Sequence, residues 1–253
     1  MTNSDEDIEE LVAMLRAARR AVVFTGAGIS TESGIPDFRS PGGLWSKMMP
    51  LHFREYIQDP VVRRQSWQRR FAMEDTWNAV KPNDGHHAVA ELVARGLVSH
   101  VITQNIDGLH QASGVPEEKV IELHGSTRRA ACLDCGAQVE IADIRRHFET
   151  HGDAPDCRHC GGIVKTATIS FGQAMPEDAM MRAKEASLAC DLFLAAGSSL
   201  VVYPAAAFPL AARQNGARLV ILNREETGQD GYAALVLHRE IGPTLRAAVA
   251  ALP

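Results

Sequence analysis

Ile8, Leu11, Val12 and Leu15 recur at i, i+3, i+4 and i+7, which predicts an amphipathic helix over residues 5–20. Ser4 stands where a cap belongs, the first turn is acidic, and Arg16, Arg19 and Arg20 close the segment, charges that complement a helix dipole. The pattern then changes. Residues 21–25 are apolar without alternation, as in a strand buried on both faces, and they stop at Gly26-Ala27-Gly28. Runs 98–103, 120–123, 191–196 and 219–222 behave the same way, ending in Gln104-Asn105, His124-Gly125, Gly197-Ser198-Ser199 and Asn223. A sixth short run lies at 234–237, and helical patterns at 86–95 and 177–189 fall between strands. This alternation predicts an α/β fold, an open parallel sheet with helices on both faces. Residues 40–81, rich in Trp, Arg and Met, and residues 130–165, which hold four cysteines, break the alternation and read as insertions.

In such sheets ligands bind beyond the carboxyl ends of the strands, where strand order reverses. Five tips carrying Gly, Ser, Asn, Gln and His are expected to converge on one crevice. Turns alone put Gly and polar residues after strands, so no one tip establishes a site; the five together do.

Composition narrows the class. The chain has 253 residues, 45% hydrophobic and 23% charged, which excludes a disordered, collagenous or coiled-coil protein. A formal charge of −5 gives no basic footprint for nucleic acid. The N-terminal MTNSDEDIEE lacks the basic-then-apolar order of a secretory signal, and the apolar stretch 200–212 is interrupted by Pro204 and Pro209 and too short to span a bilayer. The expectation is a cytoplasmic protein with neither membrane nor nucleic acid as a partner.

The tips differ in their chemistry. Gly26-Ala27-Gly28-Ile29-Ser30-Thr31 can let a diphosphate approach the backbone, or can be a tight structural turn. A standard dehydrogenase fingerprint is not met: Thr31 replaces the third small residue, and a loop broken by Gly34 and Pro36 follows in place of a second strand. Gln104, Asn105 and Asp107 can hold a carboxamide through paired donors and acceptors, or can form a turn that caps the next helix. His124 can serve as a general base near neutrality, although a lone histidine is more often structural. Cys132-x2-Cys135 and Cys157-x2-Cys160 have metal-ligand spacing and predict one zinc ion. Four thiolates leave no open position, so that zinc is structural. Cys190 has no partner in sequence and reads as a small buried hydrophobe.

GAGISTESGIPDFRSPGGLW (26–45), TQNIDGLH (103–110), ELHGS (122–126), the two cysteine pairs and GSSLVVYPAA (197–206) together resemble the sirtuins, NAD-dependent protein-lysine deacylases. The resemblance implies a large Rossmann-like domain over about 1–40, 82–128 and 166–253, a helical module over about 41–81 and a zinc ribbon over about 129–165. It implies that NAD and an acyl-lysine peptide meet in the cleft between them. Gly26, Ala27, Gly28, Ser30 and Thr31 would line the phosphates, and Asp37, Phe38 and Arg39 would belong to a loop closing over NAD, with Trp45 nearby. Gln104, Asn105, Ile106 and Asp107 would shape the nicotinamide and ribose pocket. Gly197, Ser198 and Ser199 would bind ribose and phosphate, Asn223 and Arg224 the adenosine ribose, and Ile241 the adenine.

In the implied mechanism the acyl oxygen displaces nicotinamide, and His124, with Asn105 beside it, deprotonates a ribose hydroxyl. Free lysine and O-acyl-ADP-ribose result. Ile169 and Phe171 would hold the peptide. The stretch 165–173 departs from the family pattern at Thr166, Thr168 and Gln173. Trp67 and Arg70 loosely match a Tyr/Arg pair that marks preference for acidic acyl groups, with Arg70 available to a carboxylate. The alternatives are mono-ADP-ribosyl transfer from the same NAD site and a non-catalytic zinc-ribbon binding module.

Overall fold

The computed structural model describes residues 3–37, 43, 49–74 and 79–252. Six strands form a parallel sheet in the order β3-β2-β1-β7-β8-β9: β1 (Ala21–Thr25), β2 (Val98–Thr103), β3 (Val120–Glu122), β7 (Leu192–Ala196), β8 (Arg218–Leu222) and β9 (Leu235–Leu237). After a register shift between Ala21 and Val22 against β2, the centre pairs evenly, with Val23 opposite Val101 on one side and Leu194 on the other. The chain builds outward from β1 to β3, then returns to β7 on the far side of β1. Strand order therefore reverses between β1 and β7.

The unbroken apolar runs have a simple cause: alternate residues feed two cores. Val23, Val101, Leu194, Val220 and Leu222 join one, with Leu11 and Leu15 from α1 (Asn3–Ala17), Leu92 from α4 (Asp84–Ala94) and Leu245 from α9 (Ile241–Ala250). Val22, Phe24, Ile102, Phe193 and Ile221 join the other, with Ala183 from α7 (Glu177–Ala189) and Phe208 from α8 (Phe208–Gln214). Each such Val, Leu, Ile or Phe side chain contributes about 1.5–3 kcal/mol by leaving water. Among the described residues, no helix is long and apolar enough to cross a membrane.

The second sheet is small and antiparallel, in the order β5-β4-β6: β4 (Gly125–Cys132), β5 (Gln138–Val139) and β6 (Val164–Thr168). It packs against α6 (Ile141–His151). Two helices, α2 (Phe53–Gln58) and α3 (Pro60–Ala72), belong to the other insertion. The two insertions share a core in which Trp67 of α3 packs with Ala130, Cys132, Ile144 and Val164. The expected borders at 128/129 and 165/166 fall inside β4 and β6, because their pairing reaches from Cys132 and Val164 to Gly125 and Thr168. The small sheet thus extends to the carboxyl end of β3.

Two histidines lie in the packing beneath the strand tips. His86 of α4 and His110 of the short helix α5 (Leu109–Ala112) are buried with ring centroids 5.1 Å apart. Burial depresses their pKa values to about 3 and about 4. An unfolded chain protonates such rings near pH 6.5. Below that pH the unfolded state binds more protons, so stability is full above about pH 6.5 and falls as the pH drops, by about 1.4 kcal/mol per histidine per unit. Urea midpoints should fall between pH 7.5 and pH 5.5, and His110→Gln should make the fall shallower. Equal slopes in both proteins would contradict this.

Candidate active site

The floor of the site is a contact of main chain with main chain. Gly26 N–H donates to Ala196 O (3.2 Å) and Gly28 N–H to Gly197 O (2.8 Å). A Cβ on Gly28 would lie 2.7 Å from Gly197 Cα, and one on Gly26 2.7 Å from Gly197 O. Glycine is therefore required on steric grounds, and the backbone left bare at the switch point fits the approach of a dinucleotide diphosphate. The chain continues as a 3-10 helix, Ala27–Ser33. Its Glu32 carboxylate accepts from Gly242 N–H (2.8 Å), tying the loop to the first turn of α9 and seating Ile241.

The tip of β2 locks onto this loop. Asn105 Nδ2 donates to Gly26 O (3.0 Å) and to Ser30 Oγ (3.1 Å). Both amide hydrogens are thereby engaged, which leaves its Oδ1 as an acceptor. Ser30 Oγ donates to Asp107 Oδ2 (2.7 Å), while Asp107 Oδ1 accepts from Leu109 N–H (2.9 Å). Asp107 thus caps the next helix with one oxygen and supports the site with the other. Its burial raises the carboxyl pKa, against which those hydrogen bonds act. Gln104 Nε2 reaches across to Ser198 Oγ (2.8 Å).

His124 stands just beyond β3. Its Nδ1 lies 2.9 Å from Gln104 O. A carbonyl only accepts, so Nδ1 carries the proton and Nε2 keeps its lone pair. Burial lowers the pKa of the ring and so favours the neutral base, while the bond to Gln104 pulls the other way. Its carbonyl accepts from Ile169 N–H (2.9 Å), so the chain leaving β6 is fastened to the same residue. Lys165 of β6 is buried, and its Nζ donates to Thr168 O (2.5 Å).

These tips surround a cavity of about 620 Å³. Of the sequence-predicted residues, Gly26, Ala27, Gly28, Thr31, Asp37, Gln104, Asn105, Ile106, His124, Ile169, Phe171, Gly197, Ser198, Ser199, Asn223, Arg224 and Ile241 line it. Ser30 and Asp107 do not; they hold Asn105 from behind. Phe38, Arg39 and Trp45 lie outside the described residues.

Trp67 and Arg70 are placed elsewhere. Trp67 is 1% exposed in the core shared by the two insertions and stacks on Phe71 at 5.5 Å. Arg70 donates to Thr127 O (3.2 Å) and pairs with Glu74 at 3.6 Å. It is half-buried, and burial lowers its pKa against the pull of Glu74. One helical step is 100°, so a one-residue slip in a loose alignment changes the face. The wall is formed instead by Arg69 and Met73, an i, i+4 pair on another face of the same stretch.

Sequence reasoning also missed Met49, Pro50 and Leu51, which line the cavity. They carry no local signal. A bridge between His52 and Phe171, and a bond from Phe53 N–H to Phe171 O (2.9 Å), bring them there.

The four cysteines cluster as their spacing predicts. All four sulfurs lie within 4.8 Å of one another, with Cys132–Cys160 at 3.5 Å and Cys135–Cys157 at 3.6 Å. A tetrahedral zinc with bonds of about 2.3 Å sets sulfurs about 3.8 Å apart, so the donor set fits zinc. None of the four lines the cavity, and the ion's contribution would be structural.

The Sir2 family model matches residues 26–204. The chain is 56% identical over 238 residues to NAD-dependent protein deacetylase 1 of Bradyrhizobium diazoefficiens, covering 94% of this chain and 93% of that protein. A solved structure from work on the mechanism and regulation of Sir2 enzymes superposes with a TM-score of 0.86 at 39% identity, covering 97% of both chains. A Sir2 protein with a deacetylated p53 peptide and 3′-O-acetyl ADP-ribose superposes with a TM-score of 0.85 at 34% identity, covering 96% of this chain and 98% of the other.

Removing metal tests the cysteine cluster. A strong chelator should release about one zinc per chain and expose four thiols to a disulfide reagent, while Cys190, buried among apolar residues, stays unreactive until the protein unfolds. Four thiols that react at once in the untreated protein would contradict the site.

Proposed function

Because the chain belongs to the Sir2 family, we propose that it removes acyl groups, acetyl most simply, from protein lysines with consumption of NAD, forming O-acyl-ADP-ribose and nicotinamide. One observation carries the reading: a neutral imidazole with its Nε2 lone pair free lines the same cavity as the bare glycine loop and the strand that follows β6. When bound, NAD supplies a sugar carbon that can accept the acyl oxygen. The chain's residues do the rest. The loops at Gly26–Gly28 and Gly197–Ser199 seat the diphosphate and ribose, and Asn223, Arg224 and Ile241 the adenosine end. Gln104, Asn105 and Ile106, with Ser30 and Asp107 behind them, fix the nicotinamide end. Ile169 and Phe171 hold the acyl-lysine segment through main-chain bonds, and His124 takes the proton of a ribose hydroxyl.

The cleft contributes orientation and exclusion of water. The deacetylated peptide beside acetyl ADP-ribose in the similar structure supports deacylation over ADP-ribosyl transfer to protein. Four cysteines arranged to bind metal as thiolates fit a cytoplasmic setting.

Nicotinamide release from NAD should depend on an acetyl-lysine peptide, and His124→Ala should reduce free-lysine formation about 10²- to 10⁴-fold. Loss of the acetyl group with NAD unchanged would overturn the reading. Because burial lowers the His124 pKa, the acid limb of kcat/KM should lie below the ordinary imidazole value of about 6.5. A limb above that value would contradict His124 as the base.

A further inference from the structure

Charge is divided unevenly along the cavity. Three carboxylates among its described lining residues, Asp37, Glu225 and Glu240, gather around Arg224: Glu240 Oε2 lies 3.0 Å from its Nη2, and the other two are close enough to act on it. This is the adenosine end. On the wall formed by the helical insertion, the one charged residue among the described lining is Arg69, and Met49, to whose carbonyl it bonds, lies three residues before the His52–Phe171 bridge. Its guanidinium makes a long bond to Met49 O (3.4 Å) and no ion pair with a described residue, whereas Arg70, one position on, is matched by Glu74. A second guanidinium, Arg54, is exposed one residue after the Phe53–Phe171 bond and makes no ion pair with a described residue. Gln173 also lines the cavity. Its Oε1 accepts from Ser170 N–H (3.1 Å), so its free end is a neutral NH2 donor.

We propose that this wall of the cleft selects acyl-lysines flanked by acidic side chains. Arg69 meets the substrate carboxylate, and Gln173 offers it a donor with no opposing charge. The inference rests on the deacylase reading of the cleft and adds a substrate class to it. An exposed pair of this kind is modest in strength and screened by salt.

The test compares two fluorescent acetyl-lysine peptides that differ only in Glu or Gln on either side of the modified lysine. Anisotropy in the presence of ADP-ribose measures binding whether or not turnover occurs, and nicotinamide release from the Gln-flanked peptide tests the deacylase reading separately. The Glu-flanked peptide should bind about 2- to 5-fold more tightly in low salt, with the ratio approaching one at high salt. Arg69→Gln should shrink the ratio. Gln173→Glu keeps an acceptor for Ser170 N–H while adding a charge, and should shrink or reverse it. Equal binding of the two peptides by the wild type, or a ratio unchanged in both variants, would overturn the proposal. So would a succinyl-lysine, Gln-flanked peptide that gains from Arg69 while the Glu-flanked acetyl peptide does not, since Arg69 would then read the acyl group.

Discussion

The site depends on how closely two loops touch. At the break in strand order, the backbone after β1 lies against the backbone after β7, with Gly28 N–H bonded to Gly197 O and no room for a Cβ on Gly26 or Gly28. This contact places the tips of β1 and β7 at one floor. The tip of β2 is then set by Asn105 reaching Gly26 O, and Gln104 crosses to Ser198. A bulkier residue in either glycine position would part the loops and displace the polar groups that hang from them. The stability of the sheet is supplied by its two apolar cores, so the glycines are spent on the ligand, in keeping with binding at a switch point.

A second set of bonds couples the tip of β2 to the chain leaving β6. Gln104 donates through its side chain to Ser198 and accepts through its carbonyl from His124. His124 in turn accepts through its carbonyl from Ile169 N–H. The loop after β7, the imidazole and the chain leaving β6 are thus joined by three hydrogen bonds in series. The cysteine cluster stands outside this series, but β4 and β6 run from it to the cavity wall, and Trp67 packs the helical insertion against them. A zinc ion held there would bear on the position of β6, and none of its four cysteines lines the cavity.

The sheet was legible because a parallel strand buried on both faces leaves an unbroken apolar run: residues 21–25 and 98–103 were bounded as observed, and the polar tips pointed to the cleft. The cysteine pairs were legible because metal spacing is local. Other features depended on partners distant in the chain. β4 and β6 carry polar residues such as Thr127, Arg128 and Thr166, and their pairing had no period to betray it. Ser30 and Asp107 read as ligand residues, yet the structure sets them behind Asn105, a distinction that only packing makes. Trp67 and Arg70 were misplaced because sequence spacing does not reveal which helix face is buried. Arg69 and Met73 present the adjoining face to the cavity.

The central claim is that the lone pair on His124 Nε2 faces the sugar of a dinucleotide seated on the glycine contact. A crystal structure with NAD and an acetyl-lysine peptide tests this most directly. Proton removal by His124 requires a ribose hydroxyl within about 2.6–3.2 Å of His124 Nε2, with the Nδ1 bond to Gln104 intact and the diphosphate against Gly26–Gly28. A dinucleotide seated elsewhere, or an imidazole turned from the sugar with its bond to Gln104 broken, would contradict it.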